Sequence, residues 1–333
     1  MAALNLVPFA PEWAERWDRF VMEESQNGTF LQTRRFLSYH PEGRFQDASL
    51  MVAMDNGELV AVVPAAECEV EGELWYRAHP GSTFGGIVLS KRLVQADKVI
   101  ALVQALDGRL CQRYRACELK ITPALFAARP TELLEYALFY CDYAQETEIS
   151  AYVPMAGQTP ETLRARYSAT KRYELKRAEA QGLTAAWLNG EAELTAFYDL
   201  LSLNMQKFNT VPVHTLAELT DFARARLREE IRFLGVRDAS GALVAGACLF
   251  YFAQTRTLHT QYLASDTRLG SYSPSAFLYD QVLRAGLELH ASQVSLGTST
   301  FRHGHVLNIG LIQNKEGFGC EHSLNRLFTK RYR

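Results

Sequence analysis

The chain has 333 residues, of which 48% are hydrophobic and 22% charged, with a net charge of −2. That length suggests two domains, and the composition is that of an ordinary globular protein. The charge balance excludes a strong whole-molecule attraction to DNA or to an anionic membrane, so a polyanion would need a local patch.

In chain order, Pro11 to Phe20 and Leu31 to Tyr39 read as helices, and residues near 48–54, 59–65 and 73–79 as strands. A helix is expected near 93–107 and strands near 116–122 and 147–154. Glu161 to Gln181 then reads as one basic amphipathic helix, followed by a strand at 183–188 and helices at about 191–208 and 215–229. Strands at 231–237, 242–253 and 256–264 follow. Ser273-Pro274 is a helix start, with Ser273 as side-chain cap and Pro at the first helical position. That helix runs to about His290. A strand at 292–297, a polar loop, a short helix at Gly310–Gly317 and a strand at 322–329 close the chain. Hairpins early and a helix before a late strand in each half give an α/β or α+β class rather than regular alternation.

No basic-then-apolar leader is present, and no stretch approaches the ~20 apolar residues that span a bilayer. Six cysteines, none in a CxxC pair and several in apolar runs such as Ala247-Cys248-Leu249, read as free thiols in a reducing compartment. The expectation is a cytoplasmic protein without an integral membrane segment. Its oligomeric state is not legible.

The chain also repeats itself. Met51 to Ala61 and Leu234 to Ala245 are each a strand, an Asp/Gly turn and a second strand. Gly57, Leu59, Val60 and Ala61 align with Gly241, Leu243, Val244 and Ala245. The same offset lays Thr83 on Thr267 and Gly86 on Gly270. One offset over half the chain means a duplicated domain, not a solenoid. The domains are expected at 1–152 and 153–333.

Phe30-Leu31-Gln32-Thr33, Glu58 to Pro64 and Pro80 to Gly86 in the first half form an ordered set. Lys171 to Ala178, His259 to Ser265, Gly297 to Thr300 and Asn314 to Gly319 continue it in the second. The set resembles the FemAB-like acyltransferases. That resemblance implies two tandem GNAT-like domains with mixed central sheets, and transfer of an activated acyl group to an amine. The donor would be acyl-CoA or aminoacyl-tRNA as co-substrate, with no permanently bound cofactor and no metal. The acceptor would be a small molecule or a cell-wall or envelope precursor, including peptidoglycan intermediates. The other reading is a non-catalytic duplicated fold that binds a nucleotide-linked ligand or a protein partner.

The resemblance makes Lys315 the functional lysine, stabilising a developing oxyanion; otherwise it is a surface lysine paired with Glu316 or Glu321. Tyr262 and Ser265 close the strand lining the donor pocket of such folds, where a tyrosine can relay a proton or simply fill the core. Gly270, Ser271, Tyr272, Ser273 and Ser275 form the bend before a helix start, a natural anion site. Thr267 and bulky Tyr272 depart from the family's Q/R-x-x-G-x-G/A loop, which points away from an ordinary acetyl-CoA cradle. Lys171 and Arg172, on the basic helix, either grip an acceptor diphosphate or face solvent. Lys207 and His214 lie between two helices where an acceptor could reach them. Arg302 and His303 open an Arg-His-Gly-His loop that reads as an acceptor contact, an exposed loop or, weakly, a metal pair.

Overall fold

The computed structural model describes residues 4–40, 43–207 and 209–333. The first elements are β1 (Leu4–Pro8), α1 (Ala14–Arg19), α2 (Arg34–Leu37), β2 (Gln46–Asp47), β3 (Leu50–Met54), β4 (Leu59–Val63), β5 (Ala65–Val70) and β6 (Glu73–Ala78). Next come β7 (Val88–Leu89), α3 (Ala96–Leu110), β8 (Ala116–Lys120), α4 (Glu132–Tyr140), β9 (Ala144–Pro154), α5 (Pro160–Ala165), α6 (Ala169–Ala180) and β10 (Thr184–Trp187). Then follow α7 (Glu191–Gln206), α8 (Leu216–Asp221), β11 (Ile231–Arg237), β12 (Leu243–Phe252), β13 (Thr257–Ser265), α9 (Pro274–Glu288) and β14 (Gln293–Thr298). The chain closes with β15 (Thr300–Phe301), β16 (Val306–Leu307), α10 (Ile309–Glu316) and β17 (Glu321–Arg331).

The chain forms two compact units that are not two consecutive lengths of sequence. Unit 1 takes the residues up to Glu148 together with Phe301–Val306 and Leu324–Arg333; unit 2 is Ile149–Thr300 with Leu307–Ser323.

The same ladder order recurs in both. In unit 1, β1–β3, β3–β4 and β5–β6 are antiparallel, β6–β8 is parallel, and β8 is antiparallel to the end of β17. In unit 2, β10–β11, β11–β12 and β12–β13 are antiparallel, β13–β14 is parallel, and β14 is antiparallel to β9. In each, one long helix (α3 or α9) precedes the late parallel strand.

Several expectations need correction. The strand expected at 59–65 is two strands, β4 and β5. Val63 pairs with Leu50, whereas Ala65 pairs with Ala78. Pro64 between them has no N–H to continue a ladder. The single basic helix at 161–181 is two, α5 and α6, because Ser168 leaves helical geometry and its hydroxyl caps Lys171 N at 3.2 Å. Ser273 is not a side-chain cap: it adopts a left-handed backbone (φ 52°) and makes no side-chain capping bond. Its carbonyl still opens the helix by accepting from Phe277 N at 3.2 Å.

In unit 2, β12 is almost wholly apolar and buried along its length, as a central strand covered on both faces should be. α9 lies on one face and buries Phe277, Leu278, Val282 and Leu283. Each such side chain contributes about 1.5–3 kcal/mol. The approach is close: a Cβ on Gly286 would stand 2.4 Å from Val294 Cγ2. α7 covers the other face, its Phe197 ring lying over Gly246, where a Cβ would be 2.7 Å from the ring.

In unit 1, α3 buries Val99, Leu102, Val103 and Leu106. The end of the chain is latched there through Asp107, which accepts from Tyr143 (2.7 Å), Tyr332 (2.9 Å) and Lys330 (2.6 Å).

Candidate active site

The site grows from an interrupted ladder. β13 and β14 pair only at Thr257–Gln293, Leu258–Val294 and His259–Ser295, although β13 continues to Ser265 and β14 to Thr298. Each strand is bulged where pairing stops. The β12–β13 register shifts between Cys248 and Leu249, and the β14–β9 register between Ser295 and Gly297. A bulge bends its strand and increases the local twist, so the two strands part and leave a slot between their C-terminal ends.

Lys315 fixes one wall of this slot. It is 2% exposed, so the surface-lysine reading is wrong. Its ammonium donates to Gly297 O (2.8 Å), Thr298 O (2.7 Å) and Ser299 Oγ (3.0 Å). All three N–H bonds are thereby used, and the bulged end of β14 is pinned. Neither expected carboxylate is its partner: Glu316 pairs with His322 (3.2 Å), and Glu321 accepts from Tyr152 (2.9 Å). Burial pushes the Lys315 ammonium down to about 8. His259, at the last ladder pair, bonds Ser295 Oγ at 3.0 Å through Nδ1. Burial, together with the Lys315 charge, lowers the imidazole to about 3 and keeps it neutral.

The other wall ends in Tyr262 and Ser265. Tyr262 OH lies 2.7 Å from His214 Nδ1, so two residues 48 positions apart meet. Both are buried, and burial raises the phenol above its ordinary value. The phenol therefore stays protonated at neutral pH, the state from which a general acid must start. Ser265 is held through its backbone: Asn204 on α7 donates to its carbonyl at 2.8 Å and accepts from its N–H at 3.4 Å. Lys207 donates to Thr267 Oγ1 at 2.8 Å, tying the end of α7 to the bend.

The bend itself, Thr267–Tyr272, is a 3-10 turn capped by Asp266, which accepts from Arg268 N at 3.0 Å. Gly270 is exposed, and Tyr272, Ser273 and Ser275 are half-buried. The side chain of Ser271 lies outside the described part. Because Ser273 gives no side-chain cap, the N–H groups at the start of the 15-residue α9 are left to another acceptor.

Not every anticipated residue gathers here. Lys171 is buried and donates to Glu174 and Asn314, both at 2.7 Å, with Phe318 5.4 Å away as a cation–π partner. Arg172 donates to the carbonyl of Tyr167. Both bind the protein itself. Arg302 and His303 belong to unit 1, where they line a cavity of about 280 Å³ with Arg77, His79, Glu118 and Lys120. Their backbones are left-handed (φ 50° and 53°) and lead into Gly304 (φ 96°), where a Cβ would stand 1.8 Å from Thr147 O. Asn204 and His259 were not anticipated. An Asn inside a helix and a His in a strand carry no local signal of what they hold.

Residues 165–303 match the Acetyltransferase (GNAT) domain family. No curated protein matches the chain in sequence. Among solved structures, FemX superposes with a TM-score of 0.66 at 11% identity, over 97% of this chain and 96% of that one. The C-terminal domain of a putative lysylphosphatidylglycerol synthetase from Agrobacterium fabrum gives 0.59 at 13% identity, over 96% and 91%. A tandem GNAT protein from the clavulanic acid biosynthesis pathway gives 0.53 at 13% identity, over 99% and 98%. Residues 165–303 therefore match the GNAT acetyltransferase domain family, within a chain that shares its fold with FemX and with a tandem GNAT protein.

Proposed function

We propose that unit 2 transfers an activated acyl or aminoacyl group from acyl-CoA or aminoacyl-tRNA to an amine acceptor. The observation that carries this reading is the slot: a parallel ladder that stops after three pairs, next to the side-chain-uncapped N-terminus of α9. An acyl carbonyl, and the oxyanion formed from it, would take its hydrogen bonds from the main chain beyond the last pair, His259–Ser295. The helix start favours the donor's phosphate charge.

In this mechanism the acceptor amine attacks the carbonyl carbon and forms a tetrahedral intermediate. The C–S or C–O bond to the donor then breaks. Tyr262, hydrogen-bonded to His214, gives its proton to the departing sulfur or oxygen, and the phenolate so formed takes up the proton that the amine loses. Lys315 is a positioning residue, since its N–H bonds hold the carbonyls of Gly297 and Thr298 rather than a substrate. Arg302 and His303 are left as proposed ligand contacts of unit 1's own cavity, where Arg77 pairs with Glu118 and Lys120 with Glu148.

Similarity of fold to lysylphosphatidylglycerol synthetase domains supports an aminoacyl donor, and the GNAT domain match supports acyl-CoA. A cell-envelope or peptidoglycan precursor is the proposed acceptor class. All six cysteines are free, which supports a cytoplasmic setting; among the described residues no helix is long and apolar enough to cross a membrane.

The test is transfer of labelled acyl groups from a panel of acyl-CoAs and charged tRNAs to amine acceptors, by the native chain and by Tyr262→Phe. Turnover lost in a variant that stays folded at the assay temperature supports the reading. No transfer from any donor sinks it and favours the binding module.

A further inference from the structure

At the opposite end of unit 2, β10 leaves the edge of β11. Their ladder covers only Leu234 to Arg237, and the first residues of β11 run on past it. There a cavity of about 330 Å³ opens, lined by Trp187, Arg224, Arg228, Arg232 and Glu288 among others.

Three arginines line this space against one acidic residue. They converge because the chain turns between them: a π turn at Phe222–Arg226, a non-helical Leu227 (φ −138°, ψ 43°) and then the start of β11. Their protein partners leave most of their hydrogen-bonding capacity over. Arg224 meets Glu191 at 3.2 Å, but both side chains are largely exposed (45% and 77%), and such pairs are weak. Arg228 donates Nε to the carbonyl of Arg224. Arg232 buries its Nε without a hydrogen-bond partner, an arrangement that proteins usually avoid. Glu288, the opposing carboxylate, accepts from Trp187 Nε1 at 3.3 Å.

Like charges held around a concave space need a counter-ion, and arginine forks match phosphate oxygens two at a time. The indole of Trp187 and the side chain of Leu289 give the same cavity an apolar side. We infer that this cavity is a second ligand site, which binds a small phosphate ester through Arg224, Arg228 and Arg232, at the other end of β13 from the slot. The inference does not depend on acyl transfer.

The experiment is isothermal titration of the whole chain with inorganic pyrophosphate at low salt. Arg224 and Arg228 are exposed, so R224A/R228A should fold; Arg232→Gln is a second variant. The helix start of α9 could also take pyrophosphate, so Ser275→Asp, which places a carboxylate there, serves as the discriminating variant. The expected result is saturable binding by the native chain, at least tenfold weaker in R224A/R228A and in Arg232→Gln, and unchanged in Ser275→Asp. No binding overturns the assignment. So does binding lost only in Ser275→Asp, which would belong to the donor bend. A single-stranded RNA that binds more tightly than pyrophosphate through the same arginines overturns the small-ligand assignment in favour of a polynucleotide.

Discussion

Units 1 and 2 share one ladder order but treat the gap after the parallel pair in opposite ways. In unit 1, β6 and β8 pair from Trp75–Ala116 to Arg77–Glu118, and the turn after β6 then stitches across. Gly85 N donates to Lys120 O at 2.8 Å, and Gln32 Nε2 ties Gly85 O (3.1 Å) to Thr122 Oγ1 (2.7 Å). In unit 2 the equivalent segment is the exposed bend around Gly270, which runs directly into α9. The strand before also differs: β12 is continuous, whereas its counterpart breaks at Pro64 into β4 and β5. The two units therefore share a frame, and the loop after the parallel pair sets how each treats the gap.

The sharpest way to break this contrast is at the open slot. Tyr262→Phe should lower kcat for acyl transfer by about 100-fold or more, the range of a lost general acid, while the chain stays folded with a stability loss of about 1–3 kcal/mol from the broken buried bond to His214. Equal loss from substitutions in the Pro80–Gly86 turn would erase the distinction.

Packing comes next. Leu283→Ala, on the buried face of α9, should cost about 2–5 kcal/mol in urea unfolding.

A smaller and more pointed comparison uses two glycines. Gly86 has φ +70° and a Cβ there would sit 3.0 Å from the backbone of Ile121, whereas Gly270 has open space around its Cβ position. Gly86→Ala should destabilise by about 1–3 kcal/mol, and Gly270→Ala should lie within about 0.5 kcal/mol of the native chain. Equal effects would mean that the two turns are not differently committed.

The smallest effect is in pH. Lys315 holds its proton less tightly in the fold (about 8) than at its ordinary 10.5. Between those values the unfolded chain carries more protons, so the Lys315 contribution makes stability rise with pH. That rise should be absent in Lys315→Met. His259 is lowered from 6.5 to about 3, so its contribution is lost as pH falls below 6.5. His259→Gln should flatten that acid limb.

Much of the frame was legible because it is local. The Asp238–Gly241 turn between apolar runs gave the β11–β12 hairpin, and Pro274 gave the start of α9. Lys315 stood out as a charge among Leu311, Ile312 and Phe318. What it binds did not stand out, because two of its partners are main-chain carbonyls near position 297, common to every residue type. The meeting of His214 with Tyr262 depends on how α8 and β13 pack, which periodicity does not encode. Ser273 misled for a related reason: Ser before Pro is a good cap, but a left-handed backbone at that residue removes the capping geometry.

The latch at the end of the chain has a consequence for biosynthesis. β8 of unit 1 acquires its outer neighbour, and Asp107 its bonds from Lys330 and Tyr332, only from residues translated after the whole of 149–323. On the ribosome the N-terminal sheet must therefore wait, edge open, on the order of ten seconds at ordinary elongation rates. A nascent chain stalled before Leu324 would expose that edge to chaperones or to its neighbours on the same message.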